Sequence, residues 1–154
     1  MRAGGVQYPF KIRIDRSALA TIFDHVGAPF ERIGLLMGWF DGDALWITSA
    51  IRGDSQWNGD PKYYSALSPE FLAKVADAIL SGRIPGRIVG WYHSHVGQGV
   101  FMSDIDLQTH LRLAQFSPYV VSMVIDSKTF EYAIFSLSPN GSLVEVRPES
   151  IEIV

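Results

Sequence analysis

Two histidines one residue apart, His93 and His95, close the apolar run Gly90-Trp-Tyr-His-Ser-His. Side chains at i and i+2 of a strand share a face, so both imidazoles can reach one metal ion. After a gap of seven residues, Ser103-Asp-Ile-Asp106 opens a helical pattern in which the Asp106 carboxylate can supply a third ligand. Ser103-x-x-Asp106 is equally a variant of the helix capping box, which needs no metal. The two readings are compatible, because a cap fixes the aspartate at a defined place. With 4 histidines among 154 residues, H-x-H-x7-S-x2-D arises by chance on the order of once in 10³ such chains.

Two neutral imidazoles and one carboxylate leave the fourth position of a zinc ion open for water, the arrangement of a catalytic rather than a structural site. Zinc brings the pKa of such a water to roughly 7. Hydrolysis also needs a proton shuttle that is not itself a ligand. Glu31, at the start of the apolar run Ile33 to Gly38, is the candidate, although a strand-end glutamate taken alone is more often just solvated. The Ser103 hydroxyl can donate to the oxyanion of a tetrahedral intermediate.

The elements that must position these groups follow from periodicity. Phe10 to Ile14 alternates as a half-buried strand. Asp15 caps a helix with the stripe Leu19, Ile22, Phe23 and Val26, stopped at Gly27 and Pro29. His25, with no ligand-spaced partner, reads as a partly exposed surface histidine. The run from Glu31 to Phe40 is apolar enough to be covered on both faces, and Asp41-Gly42 turns it into the strand from Asp43 to Thr48. Residues 52 to 67 form a long Gly/Asp/Asn/Pro loop interleaved with Trp57, Tyr63 and Tyr64.

Ser68-Pro69-Glu70 starts a helix that buries Phe71, Leu72, Val75 and Ile79 and ends at Gly82. The strand Arg87 to His95 follows. Leu107, Leu111 and Ala114 then continue a helix to Phe116, with His110 packed or exposed rather than ligating. Tyr119 to Ile125 and Phe130 to Leu137 pair through Asp126-Ser-Lys-Thr, and Asn140-Gly141 turns into a short strand, Leu143 to Val146. The order β-α-ββ-α-β-α-βββ predicts an α/β (α+β) fold, a mixed sheet flanked by helices, in one domain spanning residues 1–154.

Composition agrees with an ordinary globular protein, at 47% hydrophobic and 19% charged residues. A net charge of -3 gives no basic footprint for nucleic acid. The absence of cysteine removes disulfides, thiol catalysis and Cys-ligated zinc. No segment reads as a signal peptide or membrane span, so the expectation is a cytoplasmic protein without a membrane partner.

Taken together, Glu31 in Glu-x-x-Gly-Leu-Leu-x-Gly, the Gly90-Trp-Tyr-His-Ser-His run and Ser103-x-x-Asp106 resemble the JAMM (MPN+) metallopeptidase family. The likeness is to its proteasome-lid deubiquitinase branch and archaeal members. It implies the curved mixed sheet of the MPN (cytidine-deaminase-like) architecture. It further implies one zinc per chain on His93, His95 and Asp106, Glu31 as general base then acid, and Ser103 as oxyanion stabiliser.

The implied reaction is hydrolysis after the Gly-Gly tail of ubiquitin or a ubiquitin-like protein. Association with a proteasome and pairing into a homodimer are the further partners it suggests. The family carries a substrate-pairing loop where residues 53 to 65 lie here, which gives Trp57, Tyr63 and Tyr64 a substrate role. Two departures stand out. Val96 replaces the family's usual Pro, which predicts altered loop stiffness, and a tight turn from Asp126 to Phe130 replaces the second ubiquitin-gripping insertion. A JAMM hydrolase for a sulfur-carrier tail or cysteine adduct, and a catalytically silent MPN scaffold, are the competing readings.

Overall fold

A computed structural model describes residues 10–27, 31–53, 69–115, 119–138 and 140–154. The elements in chain order are β1 (Lys11–Ile14), α1 (Arg16–Val26), β2 (Ile33–Phe40), β3 (Ala44–Arg52), α2 (Pro69–Leu80), β4 (Arg87–His95), α3 (Asp104–Leu113), β5 (Val121–Asp126), β6 (Tyr132–Leu137), β7 (Leu143–Glu145) and β8 (Ile151–Ile153). The strands form one mixed sheet in the order β7-β6-β5-β4-β2-β3-β1-β8. β4 and β5 run parallel, as do β1 with β3 and β1 with β8, whereas the remaining pairs are antiparallel.

Both faces of the sheet are covered, as the apolar run of β2 predicts. Leu36 packs with Ile12, Ile22 and Val26 in the core under α1. Ile33, Leu35 and Met37 project the other way, with Val75 of α2, Trp91 of β4 and Leu113 of α3. Six consecutive residues of β2, Ile33 to Gly38, are buried. Irregularities after Leu36 in the β4 register and after Met37 in the β3 register interrupt strict alternation there.

Several sequence expectations change. Asp15 occupies the N-cap position of α1 with extended backbone but makes no side-chain cap bond. His25 is half-buried, and its Nδ1 lies 2.6 Å from the Tyr92 hydroxyl across α1 and β4, so it is not a plain surface histidine. The face of α3 turned to the core carries Asp106, His110 and Leu113, while Leu111 is exposed. A last strand absent from the predicted order, β8, lies beside β1, and the Val154 N–H donates to the Ile14 carbonyl. A three-residue Ile-Glu-Ile strand is too short to show a period. Trp57, Tyr63 and Tyr64, the loop beyond Gly53, and the expected Ser68 cap lie outside the described residues.

Candidate metal centre

β4 delivers two candidate ligands and α3 the third. His93 and His95 project from the same face of β4 at its C-terminal end, next to Trp91. α3 begins with a complete capping box: the Ser103 Oγ accepts from the Asp106 N–H at 3.1 Å, and the Ser103 N–H donates to Asp106 Oδ2 at 2.9 Å. The cap and the site are therefore one device, which holds Asp106 on the buried side of the helix. His93 Nε2 lies 3.0 Å and His95 Nε2 3.3 Å from Asp106 Oδ2. All three side chains are buried, and one donor atom from each lies within 4.8 Å of the others.

The donor set fits a divalent cation. Both ring nitrogens of His93 are buried with no aligned hydrogen bond among the described residues, so Nε2 approaches Oδ2 without a bond satisfying it. An unpartnered imidazole converging with a carboxylate and a second imidazole is the geometry a metal satisfies. Three protein donors is also the number typical of catalytic zinc sites. Burial pushes His93 towards its neutral, ligating form against the opposing pull of Asp106. At Asp106 burial favours the protonated acid, but the imidazoles at Oδ2 outweigh it and hold the carboxyl well below the usual range. Burial also disfavours the His95 proton, yet Asp106, the Gly99 carbonyl and Glu31 together outweigh it and raise the pKa.

Glu31 arrives from another strand. Ile33 of β2 is registered opposite His93, and Glu31 lies two residues ahead of it. Ser94, the residue between the two histidines, fastens this approach: the Arg32 N–H donates to Ser94 Oγ at 2.9 Å and the Ser94 N–H to the Arg32 carbonyl at 3.0 Å. Burial raises the pKa of the half-buried Glu31, which is close enough to His95 and Asp106 for their charges to act on it. The Ser103 hydroxyl, an acceptor in the cap, has no acceptor for its own hydrogen among the described residues. The five residues expected at the metal and the reacting bond thus come together, and the three expected substrate residues, Trp57, Tyr63 and Tyr64, lie outside the described residues.

Other side chains shape the site without having been singled out. Trp91 stacks on His93 with ring centroids 4.5 Å apart, and its Nε1–H donates to Nδ1 of the buried His110 at 3.2 Å. Phe101, exposed, lies against the His95 ring, also at 4.5 Å between centroids. The Asp126 carboxylate accepts from Gly97, Gly99 and Lys128 N–H groups in the loop after His95 and in its own turn. Where relatives were expected to use Pro, Val96 spends its N–H on the Gln98 side chain at 2.7 Å. Only the aromatic character of Trp91 and Phe101 beside the motif could have flagged any of these in the sequence.

A mixed sheet that brings two histidines, a capped aspartate and a half-buried glutamate together defines a candidate metallohydrolase domain. The chain belongs to the JAB1/Mov34/MPN/PAD-1 ubiquitin protease family, which it matches over residues 7–119. It is 31% identical over 118 residues to the 26S proteasome non-ATPase regulatory subunit 14 of Drosophila melanogaster, covering 75% of this chain and 38% of that one. It is 30% identical over 117 residues to the ubiquitin carboxyl-terminal hydrolase RPN11 of Saccharomyces cerevisiae, with the same coverage of 75% and 38%.

The match to the NAD(+) hydrolase TcpA of a Theionarchaea archaeon is 39% over 126 residues, 79% of this chain and 35% of that protein. The chain thus spans between a third and two-fifths of the length of these curated relatives. Among solved structures, the solution structure of a Desulfitobacterium hafniense protein shares the fold, with a TM-score of 0.65 and 22% identity over 93% of this chain and 91% of that one.

Proposed function

We propose that this chain is a zinc-dependent isopeptidase that cleaves after the Gly-Gly tail of ubiquitin or a ubiquitin-like protein. The observation that carries the reading is the unpartnered His93 imidazole buried against Asp106 and His95, with Glu31 beside them. The names of the family and of its proteasomal relatives support the substrate class. They also support association with a proteasome-like complex. Pairing of two copies remains part of this proposal on resemblance to MPN domains.

His93, His95 and Asp106 would hold the zinc. When bound, zinc supplies Lewis-acid chemistry, polarising the scissile carbonyl and making water acidic enough to give hydroxide near neutral pH. The Glu31 carboxylate takes a proton from the attacking water and returns it to the leaving lysine amine. A raised pKa suits both halves of that task, because the carboxyl holds the proton more readily than an exposed glutamate would. The Ser103 hydroxyl, already fixed by its cap bond, donates its free hydrogen to the carbonyl oxygen as negative charge develops there.

Incubation with a ubiquitin-like protein joined through its Gly-Gly terminus to a lysine tests this. Cleavage after Gly-Gly, lost on chelation and restored by zinc, is the expected result. Cleavage indifferent to chelator, or none with zinc fully loaded, would overturn it. The relative named as an NAD(+) hydrolase makes NAD+ the second arm of the assay.

A further inference from the structure

We propose that Asp126 is a positioning residue of the metal centre, acting on His95 through the Gly97–Gly99 turn. The proposal rests on His93, His95 and Asp106 holding a divalent cation. Asp126 ends β5 directly beside His95, its parallel register partner. The Ser127 N–H donates to the His95 carbonyl at 2.8 Å, which ties the two backbones at this point. The Asp126 side chain then turns back over the end of β4. Oδ1 accepts from the Gly97 N–H at 3.0 Å and the Lys128 N–H at 2.9 Å, and Oδ2 accepts from the Gly99 N–H at 2.9 Å. Two of these three donors are the ends of the turn after His95, so one buried carboxylate ties both ends of it.

The turn matters because of what its far end touches. The Gly99 carbonyl lies 3.2 Å from His95 Nδ1. A carbonyl can only accept, so in this bond Nδ1 carries the hydrogen and Nε2 is left to face Asp106 and His93. Ring orientation and tautomer are thus set by one backbone carbonyl, and that carbonyl is set by Asp126. Both glycines adopt positive φ, 81° at Gly97 and 91° at Gly99, so the turn is one that L side chains resist and that needs outside support. Phe101 packs on the same ring. Among the described residues His93 has no comparable hydrogen bond, and its ring stacks on Trp91. Perturbing Asp126 should therefore affect the two histidines unequally.

The test pairs nuclear magnetic resonance of the histidine rings with zinc competition against a chromogenic chelator. In the wild-type protein, stripped or zinc-loaded, His95 should show an Nδ1–H that exchanges slowly with solvent. Asp126→Asn removes the second acceptor oxygen while keeping the shape. It should speed that exchange and weaken zinc binding roughly 10- to 100-fold, the usual effect of losing a partner behind a ligand, while leaving the His93 ring signals in place. A purely structural defect would move both histidines together.

Gly99→Ala, strained at φ 91°, displaces the same carbonyl from the other end and should reproduce the His95 effect if Asp126→Asn does not fold. Absence of a protected His95 Nδ1–H in the wild type overturns the proposal, as does unchanged zinc affinity in a folded Asp126→Asn. A wild type that shows the protected hydrogen and its loss in Asp126→Asn, yet binds no zinc, overturns the metal reading and leaves the positioning role standing.

Discussion

Under the proposed mechanism Glu31 and the three candidate ligands have roles that substitution can separate. Glu31→Gln keeps the size of the side chain and removes its capacity to accept a proton. Turnover of a Gly-Gly conjugate should fall by about 10²- to 10⁴-fold, the range general acid–base groups contribute. Zinc content, measured after native purification, should not change, because none of the ligand bonds involves Glu31. Loss of zinc in the same variant would place Glu31 among the ligands instead. The two histidines and Ser103-x-x-Asp106 were legible because strand alternation and helix capping are local rules. Asp126 was not, because the Gly97 and Gly99 N–H groups it accepts lie 29 and 27 residues away in sequence. His110, expected to be packed or exposed rather than ligating, is packed, but its Trp91 partner was not legible because it lies 19 residues away on another element.

At the scale of elements, β2 and β4 decide whether Glu31 reaches the candidate site. Their antiparallel register sets Ile33 against His93, and Ser94 pins Arg32, so Glu31 is held close enough to His95 and Asp106 to feel their charges. The Glu-x-x-Gly spacing has a packing cause here. A Cβ at Gly34 would come within 2.3 Å of the Tyr92 ring, which lies over the strand with its hydroxyl on His25. Neither partner yields easily, because Tyr92 is fully buried. Gly34→Ala should cost about 1–3 kcal/mol by overpacking, read as a lowered denaturant midpoint. Because the push falls on the β2–β4 pair, it should also reduce kcat. Unchanged stability would show that Tyr92 can swing aside.

For the whole molecule, the sheet is covered on both sides, and two histidines of the covering helices, the half-buried His25 of α1 and the buried His110 of α3, are held as neutral bases. Burial pushes His110 from 6.5 to about 4, with the nearby His93 adding to the effect, and pushes His25 from 6.5 to about 4 with Arg32 and Arg52 assisting. In each case the folded state binds the proton less readily than the unfolded chain. The stability they contribute is therefore present above pH 6.5 and lost as pH falls towards 4. His110→Gln keeps an acceptor for the Trp91 N–H but cannot titrate. Denaturant midpoints should fall less steeply between pH 6.5 and 4 in this variant than in the wild type. Parallel curves would show that His110 takes up its proton without strain.

The sequence by itself determined the candidate ligand types, their i, i+2 and capping-box spacings, the two-faced burial of β2 and Glu31 as the candidate acid at the start of that strand. Each is set by the period of a strand, the geometry of one helix turn or a short motif. Only the tertiary structure decided that Glu31 stands beside His95 and Asp106, that α3 turns Asp106 and His110 inward, and that Asp126 holds the turn bonded to His95. Those facts depend on register between strands far apart in the chain, and side-chain periodicity carries no information about which distant strands will pair.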